Sequence, residues 1–183
     1  MKITDSRSDL SKRICFFELV KSDLPDNIVY NTNSISWISV FETITSKETL
    51  GISQAGEWVF RDAEKFYVLK NKRMYLHCAK LLEIPFDVIQ IKIEDRFRNI
   101  LKNREISFID VFPFFEIIEF AFDNLPNDYW FELAWVWYKK FPLSERYELI
   151  ALLDDISVNK KFSQKNRQKV KREIREIKRA VEA

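Results

Sequence analysis

The sequence predicts a mainly α fold, a multi-helix bundle, with a small β-hairpin as a local alternative near the N-terminus. Three observations predict it. The 183-residue chain holds only two glycines, Gly51 and Gly56, both near one loop. Many α/β folds need glycine in tight strand–helix turns and cofactor loops, so this scarcity favours helices joined by other turns. From Asp62 onward, apolar residues recur at helical spacing between cap-type residues and prolines. After residue 104 the connections are only a few residues long, which suits successive antiparallel helices. Apolar residues make up 46% of the composition, enough for a real core, so the chain reads as a single domain over 1–183.

Residues 1–60 are the least regular part. SKRICFFELV and NSISWISVFETI each hold a short apolar run rich in β-branched and aromatic residues. Such runs serve a strand or a buried helical turn equally well. Thr45 and Glu48 have capping-box spacing and favour a short helix. In RDAEKFYVLKNKRMYLHCAKLLE, Phe66, Tyr67, Met74, Cys78 and Leu81 fall near one helical stripe, with the polar stretch 70–73 as a candidate break. After Pro85, Asp87 can cap a helix whose core-facing stripe is Ile89, Ile93, Phe97 and Ile100.

Ser107 and Asp110 have cap spacing for a helix reaching about Asp123, with Pro113 early in it. NLPND makes a turn, and Asn127 or Asp128 caps a helix through Lys140. Pro142 forces another turn, Ser144 caps ERYELIALLDDIS, and Ser163 starts a basic helix toward Val181. Residues 62–158 are thus the expected helical core and 163–181 a basic C-terminal helix. The last helices also suit a short HEAT-like helical array, although no clean internal period accompanies them.

The formal charge of +2 conceals two opposed fields. From Lys160 to Arg179 ten Lys or Arg stand against Glu173 and Glu176, a net of +8. Since Glu182 adds one further negative charge, residues 1–159 carry −5. Residues 105–138 hold seven carboxylates and no basic residue. Local fields of this kind guide partners better than the net charge does.

Catalytic chemistry is sparse in the pattern. The one histidine, His77, lies between Leu76 and Cys78, where it reads as a partly buried structural residue. Adjacent helical residues point about 100° apart, a poor geometry for a Cys–His pair. No Gly-rich phosphate loop, HExxH or Cys/His cluster is present, so no cofactor and no metal is expected. Glu116, Glu119 and Asp123 share a helix face, yet nothing in the pattern selects Asp154 or Asp155 to complete a carboxylate metal site. The N-terminal MKITDSRSDLSKR lacks an apolar signal run, and the richest apolar window is broken by Asp110, Glu116, Glu119 and Asp123. Cys15 and Cys78 are read as buried thiols in a reducing cytoplasm.

Two surfaces carry the functional expectation. In DYWFELAWVWYKKF, Trp130, Leu133, Ala134, Trp137, Tyr138 and Phe141 follow core spacing, which leaves Phe131 and Trp135 as the candidate surface aromatics. With Glu116, Glu119, Asp123, Asp128 and Glu132 they form a candidate protein-binding face, whose charge would steer a basic partner. On the C-terminal helix, Val170, Ile174, Ile177 and Val181 should face the body. Lys165, Lys169, Arg172, Arg175 and Arg179 then form an outward basic face, the alternative nucleic-acid-binding site. Those lysines and arginines can equally be a solvated helix face or dock on the acidic neighbours.

The tail from YWFELAWVWYKKFPLSERYELIALLDDIS to FSQKNRQKVKREI resembles the end of small helical immunity proteins of bacterial contact-dependent or polymorphic toxin systems. The resemblance covers residues 128–177 and lies in texture: a tryptophan-rich helix, a short turn, a leucine-rich helix and a Gln/Arg/Lys-rich helix. It implies a non-enzymatic, cytoplasmic inhibitor that binds a cognate toxin domain, such as a nuclease, with no membrane involvement. It transfers no individual residue role.

Overall fold

The computed structural model describes residues 10–23, 29–32, 34–43, 48–63, 65–103 and 106–182. The described residues are mainly helical, but a five-stranded antiparallel sheet stands where a hairpin was the alternative. They pack as two compact units: residues up to Cys78 with Asp87–Phe114, and Ala79–Phe86 with residues 115–183.

The first unit carries helix α1 (Leu10–Asp23) and strands β1 (Val29–Thr32), β2 (Ile35–Glu42), β3 (Glu48–Ser53), β4 (Trp58–Asp62) and β5 (Lys65–Val68). The strands form a meander in which each pairs only with its sequence neighbours. Strand β2, ISWISVFE, is built of β-branched and aromatic residues and is buried over most of its length. Its pairing with β3 shifts between Ser39 and Phe41, a bulge in the ladder.

Both glycines serve this sheet. A Cβ on Gly51 would stand 2.1 Å from the Ile38 carbonyl oxygen and 2.6 Å from the Trp37 ring, so the indole packs on bare backbone. Gly56, at φ +73°, supplies the left-handed residue of the β3–β4 turn. Arg13 Nε donates to its carbonyl at 2.6 Å. Glycine scarcity therefore described the helical part of the chain correctly and said nothing about the sheet.

Several local expectations are corrected here. Thr45 lies outside the described residues, and Glu48 opens β3 instead of entering a helix. Phe66 and Tyr67 lie on β5, not on a helical stripe. They pair with Arg61 and Phe60, and Ala63, just after β4, adopts φ 49°. A run this short carries no period long enough to separate the two structures. The polar stretch 70–73 does not separate two helices: strand β5 precedes it, and the 3-10 helix Lys72–Glu83 already begins within it, with Cys78 and Leu81 buried. His77 is half-buried there and stacks on Tyr67 with ring centroids 3.8 Å apart. Cys78 is buried, but Cys15 is exposed on α1, whose inward residues are Phe16, Phe17 and Val20.

Helix α2 (Phe86–Asn103) buries Ile89, Ile93, Phe97 and Ile100, as their spacing predicts. The helix expected from Ser107 to Asp123 is divided into a 3-10 turn at Phe108–Val111 and helix α3 (Phe114–Asn124). Phe112 is extended, at φ −142° and ψ 132°, because Pro113 disfavours the helical region for the residue before it. The cap itself forms: the Ser107 amide donates to Asp110 Oδ2 at 2.9 Å, and Lys12 pairs with the same carboxylate at 3.1 Å.

The second unit contains most of α3, then α4 (Asp128–Tyr138), α5 (Leu143–Glu148), α6 (Ile150–Val158) and α7 (Gln164–Glu182). Asn127 caps α4 by accepting from the Trp130 amide at 3.1 Å. Ser163 Oγ accepts from the Asn166 amide at 3.3 Å and starts α7. The helix expected after Ser144 is instead two short helices meeting at Leu149. The first starts at Leu143 with Pro142 in the cap position, where its lack of an amide proton costs nothing. Helices α6 and α7 pack along one another, and α5 touches both. Among the described residues, no helix is long and apolar enough to cross a membrane.

Candidate functional site

Helix α4 is central in its unit, which relocates its candidate contact residues. Phe131 is fully buried and Trp135 is 6% exposed, so neither is a surface aromatic. Both rings belong to a cluster with Phe122, Tyr138 and Phe162, and Lys169 of α7 lies over them, 5.1 Å from the Trp135 ring. On another side of α4, Trp137 is buried; its indole nitrogen donates to the Ile84 carbonyl at 3.0 Å. Aromatics directed away from one core face thus meet a second one, because α7 covers them.

The apolar surface that α4 does present includes Tyr129, Leu133 and Val136, beside the exposed Asp128 and the half-buried Trp130 and Glu132. Tyr129 is 56% and Val136 54% exposed, with Leu133 half-buried between them. Sequence reasoning missed this stripe, although its four- and three-residue spacing is visible once the more aromatic arcs are assigned inward. Tyr129 Oη donates to Glu83 at 2.6 Å. That hydrogen bond raises the phenol above its ordinary range, so the hydroxyl stays a neutral donor.

The acidic residues divide by task. Glu132 accepts from Lys169 Nζ at 2.6 Å and lies 3.7 Å from Lys165. Asp128 accepts from the Ser163 amide at 3.1 Å and from Asn166 Nδ2 at 2.8 Å. Both carboxylates therefore hold the start of α7. Of the three acids on α3, Glu116 and Glu119 are half-buried and Asp123 is exposed. Among the described residues, no three His, Cys, Asp or Glu side chains gather to hold a metal ion.

The hydrogen bond from the Ser163 backbone, above all, lowers the Asp128 carboxyl below its ordinary value of 3.8. A depressed folded-state value gives a contribution that is complete above 3.8 and lost as pH falls through the folded value. Asp128→Asn should therefore melt below the wild type at neutral pH, and the gap should close under acid. Thermal melts of the two proteins from pH 7 to pH 2, followed by circular dichroism, check this.

The basic residues divide as well. Lys165 and Lys169 face Glu132, while Arg172, Arg175 and Arg179 are exposed. Val170, Ile174 and Ile177 are buried as expected. Val181, expected to face the body, is 56% exposed in the last turn of the helix.

A further residue went unnoticed in the basic run. Glu173 is 3% exposed and lies on the buried arc, three residues after Val170 and four before Ile177. It accepts from Lys139 Nζ at 2.7 Å, from Arg146 and from the Tyr138 hydroxyl at 3.3 Å. Burial, reinforced by the Glu173 charge, pushes the Tyr138 phenol far above its ordinary range, so it remains a donor. An acid at a core position of a basic helix was the available signal.

Among the described residues, these contacts leave an apolar stripe on α4 and a cationic face on α7 exposed. Compared with known families, characterised proteins and solved structures, the chain matches none of them.

Proposed function

We propose that the chain is a non-enzymatic binding protein of the cytoplasm that neutralises a partner protein by docking on it. This is the role that the resemblance to immunity proteins implies. The observation that carries the reading is the Tyr129–Leu133–Val136 stripe, in which Tyr129 and Val136 are exposed and Leu133 is half-buried, while Phe131, Ala134, Trp135, Trp137 and Tyr138 of the same helix are buried. Exposed apolar residues ringed by charge are favoured contact surfaces, with a tyrosine suited to anchor them. Glu83 and Asp128 stand at the Tyr129 end, and Lys139 and Lys140 follow the stripe at the other. The acids there and on α3 favour a partner with a basic patch, such as a toxin domain that holds phosphates.

A photo-crosslinking residue at position 136, in cells carrying the native neighbouring genes, tests the surface. One specific protein should be captured. Tyr129→Ala and Val136→Asp should each weaken its binding to the purified chain by about tenfold or more, roughly 1.4 kcal/mol. Absence of a captured protein, or binding insensitive to both substitutions, overturns the reading.

A further inference from the structure

We infer that the outer face of α7 is a phosphate-binding surface for nucleic acid, separate from the α4 stripe. The helix carries eight basic residues against three acidic ones. Its inner arc is accounted for by Val170, Ile174, Ile177 and Glu173, all buried. One flank is also accounted for, because Lys165 and Lys169 pair with Glu132. Lys178 stands 3.9 Å from Asp154.

What remains is the half-buried Arg167 and a line of cations facing solvent, with the exposed Glu176 beside them. Lys171, Arg175 and Arg179 follow one another at four-residue spacing, with Arg172 beside them, and all four are exposed. Among the described residues none of the four is ion-paired, while Arg175 Nε donates to the Lys171 carbonyl at 3.2 Å and is held against the helix. Lys171 to Arg179 covers about 12 Å at a rise of 1.5 Å per residue. One strand of a duplex carries three or four phosphates over that length, at about 3.4 Å each. Four cations thus meet a comparable number of phosphates. Three of the four are arginines, whose planar fork suits phosphate oxygens. The buried stripe behind them fixes the helix, so the cations are presented without ordering a flexible tail.

Fluorescence anisotropy with a labelled mixed-sequence duplex and a single strand of 20 nucleotides tests the inference on the full chain. Binding at 50 mM salt should weaken steeply at 200 mM, with a log–log slope of about −0.9 per phosphate engaged. Arg172→Glu with Arg175→Glu should cut affinity at least about tenfold and flatten that slope by about two units. The pair lies in solvent, and an unchanged circular dichroism melt shows that the fold is retained. Lys21→Glu with Lys65→Glu, exposed cations of the other unit, should leave binding unchanged. Tyr129→Ala should do the same, which separates this surface from the proposed protein contact. No binding at 50 mM salt overturns the inference, as does binding insensitive to the Arg172/Arg175 pair. Equal or tighter binding to polyglutamate or to phosphatidylserine vesicles also overturns it, in favour of an acidic protein or a lipid surface.

Discussion

Phe131→Ala should lower stability by about 3–5 kcal/mol, the range for truncating a fully buried phenylalanine. The ring is 0% exposed and touches Phe122, Trp135 and Phe162, so its loss opens a void among groups already held by one another. Urea unfolding measured by tryptophan fluorescence would report the loss directly, because Trp135 stacks on this ring at 5.4 Å. The consequence for function is specific. Partner binding, corrected for the folded fraction, should be unchanged by Phe131→Ala and reduced by Val136→Asp. The reverse pattern would return the contact surface to the aromatic pair that sequence spacing first suggests.

Glu173→Ala should cost about 3–5 kcal/mol, the cost of breaking a buried ion pair by removing one partner. It leaves the Arg146 side chain, only 16% exposed, and the fully buried Tyr138 hydroxyl without their acceptor. Glu173→Gln, which keeps an acceptor for Tyr138 but loses the charge, should fall between the two. Combining Glu173→Leu with Arg146→Met should recover much of the loss, since apolar replacements of a buried pair are often neutral. Melting by circular dichroism would order the four proteins. A wild-type melting point for Glu173→Ala would show that the carboxylate is hydrated and not part of the clamp.

The helical unit was largely legible in the sequence. Asn127 and Ser163 act as caps, and Val170, Ile174 and Ile177 are buried, because caps and helical periods are local chemistry written within a few turns. The sheet was not legible. Phe66 and Tyr67 can line a helix as readily as a strand, and their pairing with Arg61 and Phe60, five and seven residues back, completes a sheet in which β4 also pairs with β3. The expected exposure of Phe131 and Trp135 was overturned for a related reason. Phe131 and Trp135 leave one core face of α4, and only the position of α7 determines that they enter a second.

The charge fields show the division most plainly. Sequence alone determined that acids crowd residues 105–138 and bases crowd residues 160–179. It also determined that α7 has one apolar stripe, since composition and period belong to the chain itself. Tertiary structure decided which charges meet: Glu132 with Lys165 and Lys169, Asp128 with Ser163 and Asn166, and Glu173 with Lys139 and Arg146. It thereby decided which cations stay in water. The physical reason is range. A cap or a helical stripe is closed by residues three or four apart, whereas an ion pair between helices depends on a distance that only packing sets.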